Sequence, residues 1–192
     1  SFAVAVKLNS ADFQRGGFST EDAQQVVRLL NGLDVDLIEV SGGSYEAPAM
    51  QGQARDGRTL AREAFFLEFA REIRTVASMP IMVTGGIRRA PVAQEVLDSG
   101  IAMAGIATAL TLEPQLIKHW REGRDPNPQL TSISWQRKPL AALAVVRHQM
   151  RCLSRGHRPN PKVAPCMALV RDQWFIARRT RQYRATMTQS SH

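Results

Sequence analysis

Four short apolar runs, each followed by a stretch of helical periodicity, constrain the first two-thirds of this chain more than any other feature. Residues 2–8, 35–40, 81–84 and 102–106 are apolar or β-branched and have strand length. Between them lie helix patterns. Ser19-Thr20-Glu21-Asp22 has capping character, Ala23, Val26, Val27 and Leu30 share one face, and Asn31-Gly32 ends the segment. A second helix is expected over 59–76, with Leu60, Ala64, Leu67, Ala70 and Ile73 on its buried face and Phe66 beside them. A third runs from Pro91 to the stop at Gly100, and a short one covers 113–120. Residues 46–58 have no periodicity and read as an extended loop. Strand–helix alternation of this kind predicts an α/β fold with a parallel sheet. Polar positions at the strand ends (Lys7, Glu39 leading to Ser41, and Thr84) suit either the active face of a (β/α)8 barrel or the carboxyl edge of an open doubly wound sheet. The first turn lacks a G-x-G-x-x-G pattern, which weighs against a dinucleotide-binding Rossmann unit.

The most informative turn is Ile81-Met82-Val83-Thr84-Gly85-Gly86-Ile87-Arg88. A buried strand runs into two glycines, and a helix opens directly after them. Glycines there let backbone N–H groups approach an anion, and a helix start adds partial positive charge. The same pair also serves a tight turn with no ligand at all. Arg88 reads either as a solvated helix-start residue or as a cation near such an anion. Glu39 and Asp36 alternate with apolar neighbours; one is expected in water and the other against a cation.

At 192 residues and 44% apolar content the chain can build one sizeable core and a smaller element. No apolar run reaches the roughly 18 residues that span a bilayer. Cys152 and Cys166 have no ligand-like spacing and read as free thiols in a reducing cytoplasm; no metal site is expected. Phe2 opens a strand at once, so a further N-terminal portion is expected before Ser1. The net charge of +8 is uneven: residues 135–192 carry 12 Lys and Arg against one acid, Asp172. Two domains are expected: the strand–helix unit over 1–123, which the resemblance given below makes a partial barrel, then a linker and a basic helical extension over 124–192. The linker is Arg124-Asp125-Pro126-Asn127-Pro128, and helices are expected over 138–153 and 164–183. Arg171, Arg178, Arg179, Arg181 and Arg184 form a basic patch that nucleic acid or an anionic membrane can use. Few aromatics interleave them, so a helical extension with a solvated basic face is preferred and nucleic acid is not expected as a partner. Trp120, Trp135 and Trp174 read as packing residues.

Four segments together carry a resemblance. They are Val6-Lys7-Leu8-Asn9-Ser10-Ala11-Asp12-Phe13, Val35-Asp36-Leu37-Ile38-Glu39-Val40-Ser41-Gly42-Gly43, Val83-Thr84-Gly85-Gly86-Ile87-Arg88, and Gly105-Ile106-Ala107-Thr108-Ala109-Leu110 with Leu112-Glu113-Pro114. In this order and spacing the chain resembles the Old Yellow Enzyme family of NADH:flavin oxidoreductases over about residues 2–123. Those are FMN-containing (β/α)8 barrels that reduce activated alkenes. The resemblance implies the second half of such a TIM barrel, strands five to eight, followed by the basic extension. It implies FMN as cofactor, NADH or NADPH as hydride donor, and an α,β-unsaturated carbonyl compound as substrate. It places Lys7 beneath the flavin ring, Gly85 and Gly86 at the FMN phosphate, and Ala107 and Thr108 at the eighth-strand phosphate turn. The family often has Gly-Arg at that last turn, and the arginine is absent here. Tyr45 falls at the barrel mouth, where it either meets substrate or packs on its own loop. The family's substrate-anchoring His pair follows its fourth strand, upstream of the match. His119, His148, His157 and His192 lie away from the strand ends, so no catalytic residue is expected in this chain. The resemblance therefore implies a flavoprotein part that is inactive alone and needs a missing N-terminal half-barrel or a second subunit. Another FMN- or phosphate-binding barrel, and a non-catalytic piece with a basic binding tail, are the alternatives.

Overall fold

β1 (Ala5–Asn9), β2 (Leu37–Ser41), β3 (Ile81–Thr84) and β4 (Met103–Gly105) form one parallel sheet in chain order. The computed structural model describes residues 2–12, 16–42, 63–130, 138–160 and 162–189. Sequential order with no switch point is what a barrel requires; a doubly wound sheet reverses direction partway. The fold is thus a partial (β/α)8 barrel, and the open-sheet alternative falls away. α1 (Thr20–Leu30), α2 (Leu67–Arg74) and α3 (Ala90–Asp98) connect or follow the strands, and α4 (Thr108–Leu112) and α5 (Leu116–Arg121) come after β4. By residue contacts the chain divides into Ser1–Gln129 and Leu130–His192.

Strand register sorts the side chains into two faces. Leu8, Val40, Val83 and Ala104 are cross-strand partners, and Ile38 pairs with Ile81. These meet Ala23 and Val27 of α1, Ala70 and Ile73 of α2, and Ala93 and Val96 of α3 in one core. The opposite face carries Lys7, Glu39, Met82 and Met103 as a single row. Met103 on that row is 48% exposed.

Local signals explain the helix ends. Ser19 caps α1 through the amide of Asp22, whose carboxylate returns the bond to Ser19 N–H. Three expectations shift. β1 starts at Ala5, because pairing begins at Ala5 opposite Leu37 and Phe2 is 89% exposed. Among the described residues, the helix expected over 59–76 forms at Leu67–Arg74; Ala64 has φ 55°, which a helix cannot accommodate. Its proposed residue Leu60 and the loop 46–58 lie outside the described residues. The helix expected over 113–120 starts only at Leu116, as α5, and α4 over Thr108–Leu112 is a further short helix ahead of it; Pro114, whose ring cannot continue a helix, lies between the two.

The turn before α2 has a specific task. Phe66 is fully buried, and its ring lies where side chains of two glycines would be. A Cβ on Gly42 would sit 2.5 Å from Phe66 Cε1, and one on Gly85 2.7 Å from Cδ2. Phe65 covers Gly86 in the same way, with Cζ 2.6 Å from the would-be Cβ, and stands edge-on to Phe66 at 6.3 Å between centroids. The Phe65 amide donates to Gly85 O at 3.1 Å.

In the second unit α6 (Lys138–Leu153) packs against α7 (Pro165–Gln189), which runs past the expected end at 183. Ala144, Val145, Val163 and Ala168 make its small core. Gln149 is fully buried and bonds the connecting loop twice, donating to Asn160 O at 2.6 Å and accepting from Asn160 N at 2.7 Å. Asp172 is buried and accepts from Arg147 at 3.1 Å and Arg151 at 2.9 Å. No helix of the described residues is long and apolar enough to cross a membrane. Cys152 and Cys166 are free thiols.

Two outcomes follow from this packing. Gly42→Ala is expected to cost about 1–3 kcal/mol by overpacking, since Gly42 has an ordinary backbone and the obstacle is mainly the Phe66 ring, with Ser10 Oγ at 3.0 Å behind it. Phe66→Leu in the Gly42→Ala background should recover part of that loss in urea unfolding; purely additive costs would remove the wedge as the cause. His148 is held below its usual 6.5 by burial first, then by Arg171 and Arg151. A depressed folded value means that its contribution is present above 6.5 and lost as pH falls through the folded value. Unfolding midpoints from pH 8 to 5 should therefore drop, and His148→Asn should flatten part of the drop. A histidine NMR titration placing His148 at or above 6.5 would contradict this.

Candidate functional site

The C-terminal edge of the sheet gathers most of the residues marked by sequence. Gly85 and Gly86 follow β3 directly, and Ala107-Thr108 follow β4 by one residue. β3 and β4 are neighbours, with Thr84 paired to Gly105, so the two turns lie side by side. Lys7 sits one layer lower on β1, two strands away, or roughly 10 Å at ordinary strand spacing. Tyr45 lies outside the described residues.

Each position has a geometry that sequence did not show. Gly85 and Gly86 have φ 147° and 74°, conformations that favour glycine. Their bare Cα atoms are needed by Phe66 and Phe65 whether or not an anion binds. The start of α3 is already satisfied: Ala90 N–H donates to Asp125 Oδ1 at 2.8 Å. The helix-terminus attraction expected there is thus taken up by a carboxylate of the same chain. Arg88 is not a solvated helix-start residue. It lies 3.0 Å from Glu63 Oε1 and donates to Asn127 Oδ1 at 2.7 Å. Arg89 bonds the same Glu63 oxygen at 2.6 Å. Glu63 is 5% exposed, and its Oε2 has no partner among the described residues.

Lys7 donates to Glu39, its direct cross-strand neighbour, and remains 57% exposed against 21% for Glu39. Asp36 instead accepts from Val4 N–H at 2.8 Å. Ala107 caps α4 with no side-chain bond, and both Ala107 and Thr108 are exposed. Polar atoms without partners mark the same edge. Ser10 Oγ and Thr84 Oγ1 are buried with no hydrogen bond among the described residues. A small polar group fits an edge with one glycine turn beside an exposed Ala-Thr turn, buried hydroxyls without partners among the described residues and no free carboxylate on the β3 turn. Sequence reasoning marked Thr84 as a strand-end polar position and Ser10 within a motif segment, but missed the task of the Phe65 and Phe66 rings and the anchor at Glu63. Neither of these last has a motif signature. Among the described residues no cluster of three or more His, Cys, Asp or Glu can hold a metal.

Comparison with known proteins gives this edge a lineage. The chain is 39% identical over 126 residues to the NADH-dependent flavin oxidoreductase iliE of Neonectria sp. (strain DH2), covering 61% of this chain and 16% of that protein. It is 34% identical over 129 residues to the NADH-dependent flavin oxidoreductase iccE of Talaromyces variabilis, covering 62% of this chain and 30% of the relative. Over about 60% of its length the chain is similar to NADH-dependent flavin oxidoreductases. Its match spans under a third of the length of these two relatives. The structure of histamine dehydrogenase from Rhizobium sp. 4-9 superposes with a TM-score of 0.53 at 21% identity, covering 64% of this chain and 17% of that one, and supports the barrel fold. Residues 59–151 also match the family described as histidine biosynthesis protein.

The Glu63 anchor makes a testable statement about this edge. Arg88→Ala or Arg89→Ala alone leaves the buried carboxylate one cation. The double substitution leaves it none, at an expected cost of about 3 kcal/mol, more than the two singles summed. Chemical denaturation of the four proteins checks this, and strict additivity would show that the two arginines act separately.

Proposed function

We propose that this chain is the phosphate-binding half of an FMN-dependent NADH oxidoreductase barrel of the Old Yellow Enzyme type. The carrying observation is the pair of adjacent turns after β3 and β4, on a chain related to flavin oxidoreductases. Bound FMN supplies hydride transfer from NADH or NADPH to an α,β-unsaturated carbonyl compound. In this reading the backbone amides of Gly85 and Gly86, with the Ala107-Thr108 turn, hold the phosphate. Arg88 and Arg89 face Glu63 instead, so amides and the Thr108 hydroxyl carry the contact without a spare arginine. Lys7 lies under the ring and stabilises negative charge gained on reduction, tempered by Glu39 beside it. Tyr45 belongs at the mouth. The substrate-anchoring histidines and the cover for the Lys7–Met103 row come from a second half-barrel or a second subunit. Residues 1–123 act as barrel, and 124–192 as linker and basic extension.

A second reading keeps the phosphate and drops the flavin: a (β/α)8 enzyme acting on a phosphorylated small molecule. The match of residues 59–151 to histidine biosynthesis proteins favours it, because that span includes both turns.

Flavin titration separates the two. The chain alone should purify colourless and bind FMN weakly, because half the walls are supplied elsewhere. A complementary half-barrel, in trans or fused, should give a yellow complex. Gly85 is a poor place to probe the phosphate, since any side chain there strikes Phe66. Thr108→Glu is better: it is exposed, at the first position of α4, where an acid does not harm a helix. It should weaken FMN at least about tenfold through repulsion of the phosphate. In the yellow complex Lys7→Met should lower the flavin reduction potential and Glu39→Gln should raise it. Unchanged FMN affinity in Thr108→Glu would overturn the phosphate assignment, and unmoved potentials would remove Lys7 from the ring.

A further inference from the structure

The second unit holds a cavity that the oxidoreductase reading leaves unused. It measures about 310 Å³ and lies between α6, α7 and the loop that joins them. Its walls carry three arginines, Arg151, Arg155 and Arg171, and two histidines, His148 and His157. Trp174 and Phe175 form its apolar side.

Charge balance decides what such a cavity accepts. Asp172 is the single acid of residues 135–192. Both of its oxygens are used by Arg147 and Arg151. Arg155 and Arg171 have no carboxylate partner among the described residues. Two uncommitted guanidiniums therefore border one small concave space, where low-dielectric walls strengthen their field. The field reaches the inside: Arg171 and Arg151 both oppose protonation of His148. Arg151 is also fixed in direction, lying 5.0 Å from the centroid of the Phe175 ring on one side while bonding Asp172. Trp174 is 62% exposed, so an aromatic surface beside the cations stays open to a ligand.

We infer that the cavity between α6 and α7 is a binding site for a phosphate monoester, with the phosphate between Arg155 and Arg171 and the organic group against Trp174. Planar guanidinium forks match the oxygens of a doubly charged terminal phosphate. His148 and His157 add further nitrogen donors. A volume of about 310 Å³ stands at the lower end of small-molecule pockets, so the organic part is small. A small concave pocket suits a terminal phosphate better than the continuous diester backbone of a nucleic acid, which a long groove or flat stripe would track.

The test uses the full chain with inorganic phosphate, phenyl phosphate and a random DNA duplex as probes. Calorimetry should show phosphate binding and tighter binding of phenyl phosphate. Tryptophan fluorescence should respond to phenyl phosphate and lose that response in Trp174→Phe. Arg171→Ala and Arg155→Ala should each weaken phenyl phosphate by about tenfold or more, the usual loss of a charge-assisted contact. Arg181→Ala, on the same helix but outside the cavity and its rings, should leave it unchanged. Circular dichroism confirms folding, and the two arginines lie on different elements, so one variant stands if the other unfolds. Bound phosphate should also raise the His148 titration midpoint in histidine NMR. The groups facing it are Arg151, Cys152 and Arg155 of α6 and its end, His157 of the loop, and Arg171 of α7. No phosphate binding, an equal loss in Arg181→Ala, or DNA binding without phenyl phosphate binding would overturn the inference.

Discussion

The ring of Phe66 is the contact on which the rest of the first unit depends. It fills a slot between the end of β2 at Gly42 and the end of β3 at Gly85. Side chains at either glycine would exclude it, so both turns must be bare. Phe65 makes the same demand on Gly86. Once the two rings are seated, Glu63 just ahead of them reaches Arg88 and Arg89 beyond the glycines. Asn127 and Asp125 then close on Arg88 and the Ala90 amide from the far end of the unit. One apolar wedge thus sets the shape of the turn, and ion pairs and hydrogen bonds hold it.

The two units treat charge in opposite ways. At the sheet edge each cation has an acid of the same unit: Lys7 has Glu39, and Arg88 and Arg89 have Glu63. Little net field remains there, so an anion at that edge must be held by amides and hydroxyls over short distances. In the second unit one acid serves twelve basic residues of 135–192 and is spent on holding α6 to α7. Positive potential is left over, and a cavity collects it. Part of the extension's charge meets rings instead of acids: Arg178 lies over Trp174 and Arg179 over Phe175.

What could be read from sequence follows the range of each signal. The strand at 81–84, the helix at 138–153 and the capping box at Ser19 were legible because their causes lie within a few residues. So was the parallel order, since alternation limits the topology. The helix before β3 was read too long. Its apolar spacing continues through Ala64, but Phe65 and Phe66 are drawn to the sheet and break the helix there. The Lys7–Glu39 pair shows the other limit. Both residues were marked as strand-end charges, yet their meeting depends on register, which aligns Lys7 with Glu39 across β1 and β2. Glu63 was invisible for the same reason: its partners lie 25 and 26 residues on, as the numbering of Arg88 and Arg89 shows.

The same pair constrains whatever covers the open face of the sheet. Exposed as it is now, the Lys7–Glu39 pair is worth between nothing and about 1 kcal/mol. Its neighbours in the row, Met82 and Met103, gain from being covered, at roughly 25 cal/mol for each Å² of apolar surface removed from water. Covering the whole row with apolar surface would remove water from both charges at once. The loss of hydration, several kcal/mol per ion, then exceeds what burying two methionines returns. A cover that stabilises this face must therefore be two-sided in character. It must be apolar over β3 and β4, and over β1 and β2 it must bring hydrogen-bonding groups or retain water at Lys7 and Glu39. The row sets this requirement by its own chemistry, whether the cover is another half of a barrel or a second subunit.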